Sequence, residues 1–136
     1  MTLTTLITSL RADPRRVFVL DGVGALVSAV ILGLVLPPFD EALGTTRSAL
    51  HALAALPVAF ALYDLVCWAA RVRWWRAAVR GIATANLLYP VFSAVTLWND
   101  QVPLTGLGIA YFTAESATLW AIAALEYRVA AAEAPE

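Results

Sequence analysis

Apolar residues run nearly unbroken through four stretches of this chain, near 14–36, 46–70, 77–98 and 103–129. Each is long enough for a helix to cross the hydrocarbon core of a bilayer, which takes about 20 residues. Asp13-Pro14 opens the first stretch as an N-cap followed by proline at the first helical position, and Pro37-Pro38 closes it. The second follows Gly44-Thr45-Thr46 and carries Pro57, which should bend it near its middle. The third begins after Arg76 and ends at Trp98-Asn99-Asp100, and the fourth starts at Pro103. The link from Asn99 to Val102 is too short for anything but a hairpin between antiparallel helices. Ahead of the first stretch, Leu3, Leu6, Ile7 and Leu10 recur at helical spacing with Thr and Ser between them. That pattern predicts a short amphipathic interfacial helix over 1–12. A flexible tail is expected at 130–136. The fold expected is an all-α membrane protein, four transmembrane helices in an up-down antiparallel bundle forming one integral membrane domain.

Composition points the same way: of 136 residues, 61% are hydrophobic and 14% charged, more apolar surface than a water-soluble domain of this size can bury. All nine basic residues are arginines, and eight of them (Arg11, Arg15, Arg16, Arg71, Arg73, Arg76, Arg80 and Arg128) flank one side of the expected spans against Arg47 on the other. Basic flanks stay inside, so both termini are expected in the cytoplasm, in a multi-pass protein of a bacterial inner membrane. Trp68, Trp74 and Trp75 at the inner interface and Trp98 at the outer one agree with that orientation. A net charge of −1 lacks the basic excess of a nucleic-acid binder. One Cys and one His leave no disulfide framework, no paired-His metal site and no haem site, and no cofactor is expected.

Candidate chemistry lies in the acids. Asp21, Asp64, Glu115 and Glu126 fall inside the expected spans, where a charge near the bilayer centre costs about 2.5–3.5 kcal/mol. Counted from the nearest arginine at about 1.5 Å per residue, Asp21 and Asp64 lie roughly 8–10 Å deep and Glu115 lies near the midplane. Asp21 and Glu126 are shallow enough to be solvated or paired with arginine. Each span carries one polar stripe: Asp21, Gly24 and Ser28; Phe60, Asp64, Cys67 and Trp68; Asn86, Tyr89, Ser93 and Thr96; Gly108, Tyr111, Glu115, Thr118, Ile122 and Glu126. Turned inward together, these stripes would enclose an acidic cavity in the cytoplasmic half, narrowing toward Glu115 and Ser28. Arg80 is the one base placed to reach Asp21 or Asp64 as an internal counter-charge.

Such a cavity suits a proton or a small cation. Asp64 and Glu115 are the expected carriers, Asp21 the acid at the mouth, Asn86 and Tyr89 the orienting donors, and Trp68, Tyr89 and Tyr111 the aromatic faces for cation–π contact. Tyr89 and Asn86 also fit a purely structural role in holding helices together. Gly22, Ala25, Ala29 and Gly33 form a small-residue stripe for close packing against another span, or against a second copy in a homodimer. The function expected is binding, with translocation as its extension, of a small cation or protons in a cytoplasm-facing cavity. The alternative is a non-catalytic accessory or scaffold subunit of a larger membrane complex, held by structural salt bridges. A third reading, an intramembrane enzyme acting on a lipid, would need the carboxylates beside a lateral opening. No catalytic motif favours an enzyme.

Overall fold

The computed structural model describes residues 1–131. They form six α-helices: α1 (Leu3–Ala12), α2 (Arg15–Val30), α3 (Asp40–Leu43), α4 (Arg47–Ala70), α5 (Trp75–Asn99) and α6 (Gly106–Ala131). A π turn, Ile31–Val35, continues α2 and ends in the Leu36 N–H to Ile31 carbonyl bond of 2.8 Å, just before Pro37-Pro38. With that turn included, four helices (Arg15–Val35, Arg47–Ala70, Trp75–Asn99 and Gly106–Ala131) are long and apolar enough to cross a membrane. They coincide with the four apolar stretches within one to three residues at each end. Ala130, expected in the flexible tail, is helical and buried instead; the rest of that tail beyond Ala131 lies outside the described residues.

Caps fix the boundaries. The Thr2 hydroxyl accepts from the Thr5 N–H at 3.3 Å and starts α1. The Thr46 hydroxyl does the same for Ala49 at 3.2 Å and starts α4. Gly44 ends α3 in the left-handed conformation, at φ 71°, and Thr45 N–H reaches back to the Asp40 carbonyl at 3.1 Å. No side chain would fit at Gly44 in any case, because the Pro103 carbonyl and the Thr105 N–H crowd the space a Cβ would need. That contact explains why α6 begins at Gly106 rather than at Pro103. Thr105 donates its N–H to the Leu43 carbonyl at 3.1 Å and its hydroxyl to the Ala42 carbonyl at 2.6 Å. Its oxygen also caps Gly108 N–H at 3.2 Å.

Gly22 approaches Asp64 so closely that an added Cβ would lie 3.1 Å from the Asp64 Cβ, and one on Gly33 would lie 3.4 Å from Ala54. The small-residue stripe of α2 is therefore occupied by α4 of the same chain and is not free for a second copy. In turn α4 meets α5, with Tyr63 donating to the Ala78 carbonyl at 2.9 Å, and α5 meets α6 through Thr84 and Tyr127. Two apolar clusters fill the ends of the bundle. At the end that gathers Arg11, Arg15, Arg80 and Arg128, Leu10, Val17, Phe18, Cys67, Val79 and Val129 pack together, joined by Leu6 and Ile7 of α1. At the other end Leu32, Leu43, Leu50, Leu53, Tyr89 and Phe112 do so. Outward faces are rich in exposed Leu, Val and Trp while carboxyls are buried within, the reverse of a water-soluble bundle.

Candidate functional site

Each of the four long helices brings one polar side chain to a common point between the two apolar clusters: Asp21 from α2, Asp64 from α4, Asn86 from α5 and Glu126 from α6. All four are buried, the acids to 8%, 1% and 3% exposure in chain order. The Asn86 amide donates to Asp21 Oδ1 at 2.9 Å and to Glu126 Oε2 at 3.2 Å. The Asp21 carboxyl neighbours both the Asp64 and the Glu126 carboxyls. Among the described residues no donor reaches Asp21 Oδ2, Glu126 Oε1 or either oxygen of Asp64. Buried polar atoms are almost always partnered, so four orphan carboxyl oxygens at one point require either shared protons or a bound cation.

No base supplies that charge. Among the described residues the ion pairs are Arg16 with Asp13 at 3.3 Å and Arg47 with Asp40 at 3.4 Å, both at helix ends. Arg80, expected to point inward, is exposed and turns its guanidinium to the Ala130 carbonyl at 3.4 Å. The last carbonyls of α6 attract a cation that stays hydrated there, whereas the acids would have required it to shed water. No group of three or more His, Cys, Asp or Glu side chains suited to a metal is present among the described residues.

From the acid cluster a cleft of about 420 Å³ runs along α6, lined by Asp21, Gly24 and Ser28 of α2, Phe60 of α4, Asn86 of α5, and Tyr111, Glu115, Thr118 and Ile122 of α6. Residues of the α2 and α6 polar stripes thus line one cleft. The second and third stripes reach the cleft only through Phe60 and Asn86. Asp64 stands behind Asp21 against Gly22, outside the cleft wall. Tyr89 is buried with its hydroxyl donated to the Leu53 carbonyl at 3.0 Å, so it is a packing residue and not an orienting donor. Trp68, offered as an aromatic face, lies at the arginine-rich end under the Arg15 guanidinium, 4.7 Å from its ring centre. The cavity is also placed differently: it does not widen toward the arginine-rich end, because the packed cluster around Phe18 and Val79 closes that end. A larger groove of about 1360 Å³ between α5 and α6, near Trp98 and Trp120, carries no ionisable side chain.

Glu126 is the residue that counting depth along the helix understated. Two positions from Arg128 it reads as interfacial, but α1 folds back over this end and buries it. The Arg11 guanidinium of α1 donates to the Arg128 carbonyl at 2.8 Å, and Leu10 packs with Val129 and Ala130. The signal was present in two places: the shared phase of Glu115 and Glu126, and an amphipathic first helix whose apolar face needed something to cover. No family model, no curated protein and no solved structure matches this chain.

Proposed function

We propose that this chain is a small multi-pass protein of a bacterial inner membrane that binds protons or a small cation at the Asp21–Asp64–Asn86–Glu126 cluster and the adjoining cleft, and that translocation would extend the same chemistry. One observation carries the reading: three buried carboxyls have a single amide donor among them, which reaches Asp21 and Glu126 but not Asp64, and no basic partner among the described residues. Three negative charges cannot be held there in the absence of protons or a cation. The membrane reading rests on four apolar helices with carboxyls inside and apolar side chains outside. The up-down antiparallel arrangement is supported by the running order of contacts, Gly22 with Asp64 and Gly33 with Ala54, then Tyr63 with Ala78 and Tyr89 with Leu53. Both termini are assigned to the cytoplasmic side by the arginine bias.

The scaffold alternative calls for salt bridges inside the bundle, and the ion pairs of the described residues, at helix ends, do not favour it. A homodimer remains compatible with the proposal, but its contact would lie away from the Gly22 to Gly33 stripe.

Infrared difference spectroscopy across a pH titration of the purified protein tests the proposal, because a protonated buried carboxyl has its own carbonyl band. A band that changes with pH and loses intensity in Asp64→Asn and Glu126→Gln is expected. Wild-type protein with no such band, or with one that neither substitution alters, would overturn proton binding at the cluster.

A further inference from the structure

Access to the acids is the feature that narrows what they can bind. Both ends of the bundle are closed by apolar packing, around Phe18, Val79 and Val129 at the arginine-rich end and around Leu32, Leu50 and Phe112 at the other. Between these plugs the cleft lies where α2 faces α6; α1 packs on both of these helices at one end, and α3 packs on α6 at the other. Its rim residues Gly24 and Val27 on α2 and Ala114 and Thr118 on α6 are exposed. The route to Asp21 is therefore sideways, between two of the long helices.

If these helices span a bilayer, that side faces hydrocarbon. A hydrated inorganic ion cannot approach by it, since moving an isolated charge out of water costs many kcal/mol. A ligand arriving from the acyl chains has to travel uncharged and acquire its charge on arrival. We propose that the α2–α6 cleft binds a lipophilic amine, which enters from the bilayer as the free base and is protonated by a carboxyl of the cleft. This names the ligand class for the site described above, and it rests on that site holding protons. In the step itself the nitrogen lone pair forms an N–H bond, the carboxyl O–H bond breaks, and its electron pair stays on the oxygen. An ammonium–carboxylate pair results, and no other reactant is needed.

The wall of the cleft fits such an occupant. Its volume falls within the usual range of small-molecule sites, roughly 300–1,000 Å³. Asp21 meets it with Oδ2 lacking any protein donor while being 8% exposed, and the half-buried Glu115 meets it further along α6. Asp21 is faced by the Asp64 and Glu126 carboxyls and the Asn86 amide, and Glu115 by Tyr111 and Tyr89, with no base among them. Phe60 and Tyr111 bring aromatic rings to the wall, where an ammonium can be held, and Val27, Leu119 and Ile122 bring apolar surface for its tail.

The test uses the full chain in nanodiscs of zwitterionic phosphatidylcholine and a radiolabelled tertiary amine bearing a naphthyl group, with methylnaphthalene as the uncharged control. Saturable amine binding is expected, at least about tenfold tighter than the control. Gly24→Phe should weaken it by about tenfold or more, because a Cβ at Gly24 meets nothing within 4 Å and the ring is placed at the rim of the cleft. Glu115→Gln should weaken it as much, while the infrared carboxyl band of the cluster persists in Gly24→Phe. Ala114→Phe, on the opposite rim, reads the same if Gly24→Phe does not fold. No amine binding, or binding indifferent to the rim and Glu115 substitutions, overturns the inference and leaves the proton-binding cluster standing wherever the band is present. Absence of the band in wild type overturns both.

Discussion

Tyr89 donates its hydroxyl to the Leu53 carbonyl at 3.0 Å, the one acceptor in α4 that Pro57, four residues on and lacking an N–H, leaves without its helical partner. A proline in the middle of an apolar helix orphans a carbonyl, and a neighbouring helix satisfies it. Tyr89→Phe should therefore destabilise the protein by about 1–3 kcal/mol, the cost of a buried unsatisfied group. In a Pro57→Ala background, where the backbone can recover its own bond, the same substitution should cost clearly less. Denaturation of the four proteins of this cycle in detergent measures the coupling; equal costs in both backgrounds would separate Tyr89 from Pro57.

Among the described residues Asn86 holds the only side-chain donor to the acid cluster. Asn86→Leu, similar in volume, is expected to lower stability by about 1–3 kcal/mol through the acceptors it orphans. Adding Asp21→Asn should recover part of that loss, since the new amide can donate to Asp64 or Glu126. A double variant no more stable than Asn86→Leu alone would mean that the cluster does not depend on its donor.

Arg80 is expected to be dispensable to the site. Its guanidinium lies on the Ala130 carbonyl and makes no ion pair with the acids. Arg80→Gln should leave the infrared carboxyl band unchanged and cost no more than a helix-end contact, about 0.3–1 kcal/mol. A shifted band would restore Arg80 as a counter-charge.

At the far end of the bundle Asp100 accepts from the Thr45 hydroxyl at 2.9 Å, the Thr46 N–H at 2.9 Å and the Thr46 hydroxyl at 2.6 Å. Partial burial works against its charge, but these bonds prevail and hold its carboxyl below the ordinary value of 3.8. An acid held lower in the folded state than in the unfolded chain stabilises the fold above its unfolded value, and the contribution disappears as pH falls through the folded one. Stability should thus decline below about pH 4, and Asp100→Asn should lessen that decline while lowering stability at neutral pH. Thermal unfolding of both proteins between pH 3 and pH 7 gives the comparison.

Much of this architecture was legible because apolar runs, prolines and hydroxyl caps act locally. Asp13-Pro14, Pro37-Pro38 and Thr46 mark helix ends whatever the helices later touch. The π turn was not legible, since Ile31 to Val35 fit an ordinary helix equally well. The site was half legible. Helical phase put Asp21 on one face with Ser28, and Glu115 on one face with Tyr111, and both faces line the cleft. Phase says nothing about which neighbour a face meets, so Asp64 and Tyr89 were expected in the cavity although one packs behind Asp21 and the other satisfies α4. Arg80 illustrates a different gap. Its position allowed either of two directions, and hydration of the charge, a property of the surroundings, selected the outward one.

Chain order gives the pairing of Gly22 with Asp64 a bearing on biogenesis. The hairpin of α2 and α4 is made first and brings Asp21 and Asp64 together, whereas the amide that serves the cluster arrives only with α5 and the third carboxyl only with α6. A chain inserted only as far as Ala70 is half a bundle with two acids and no donor for them.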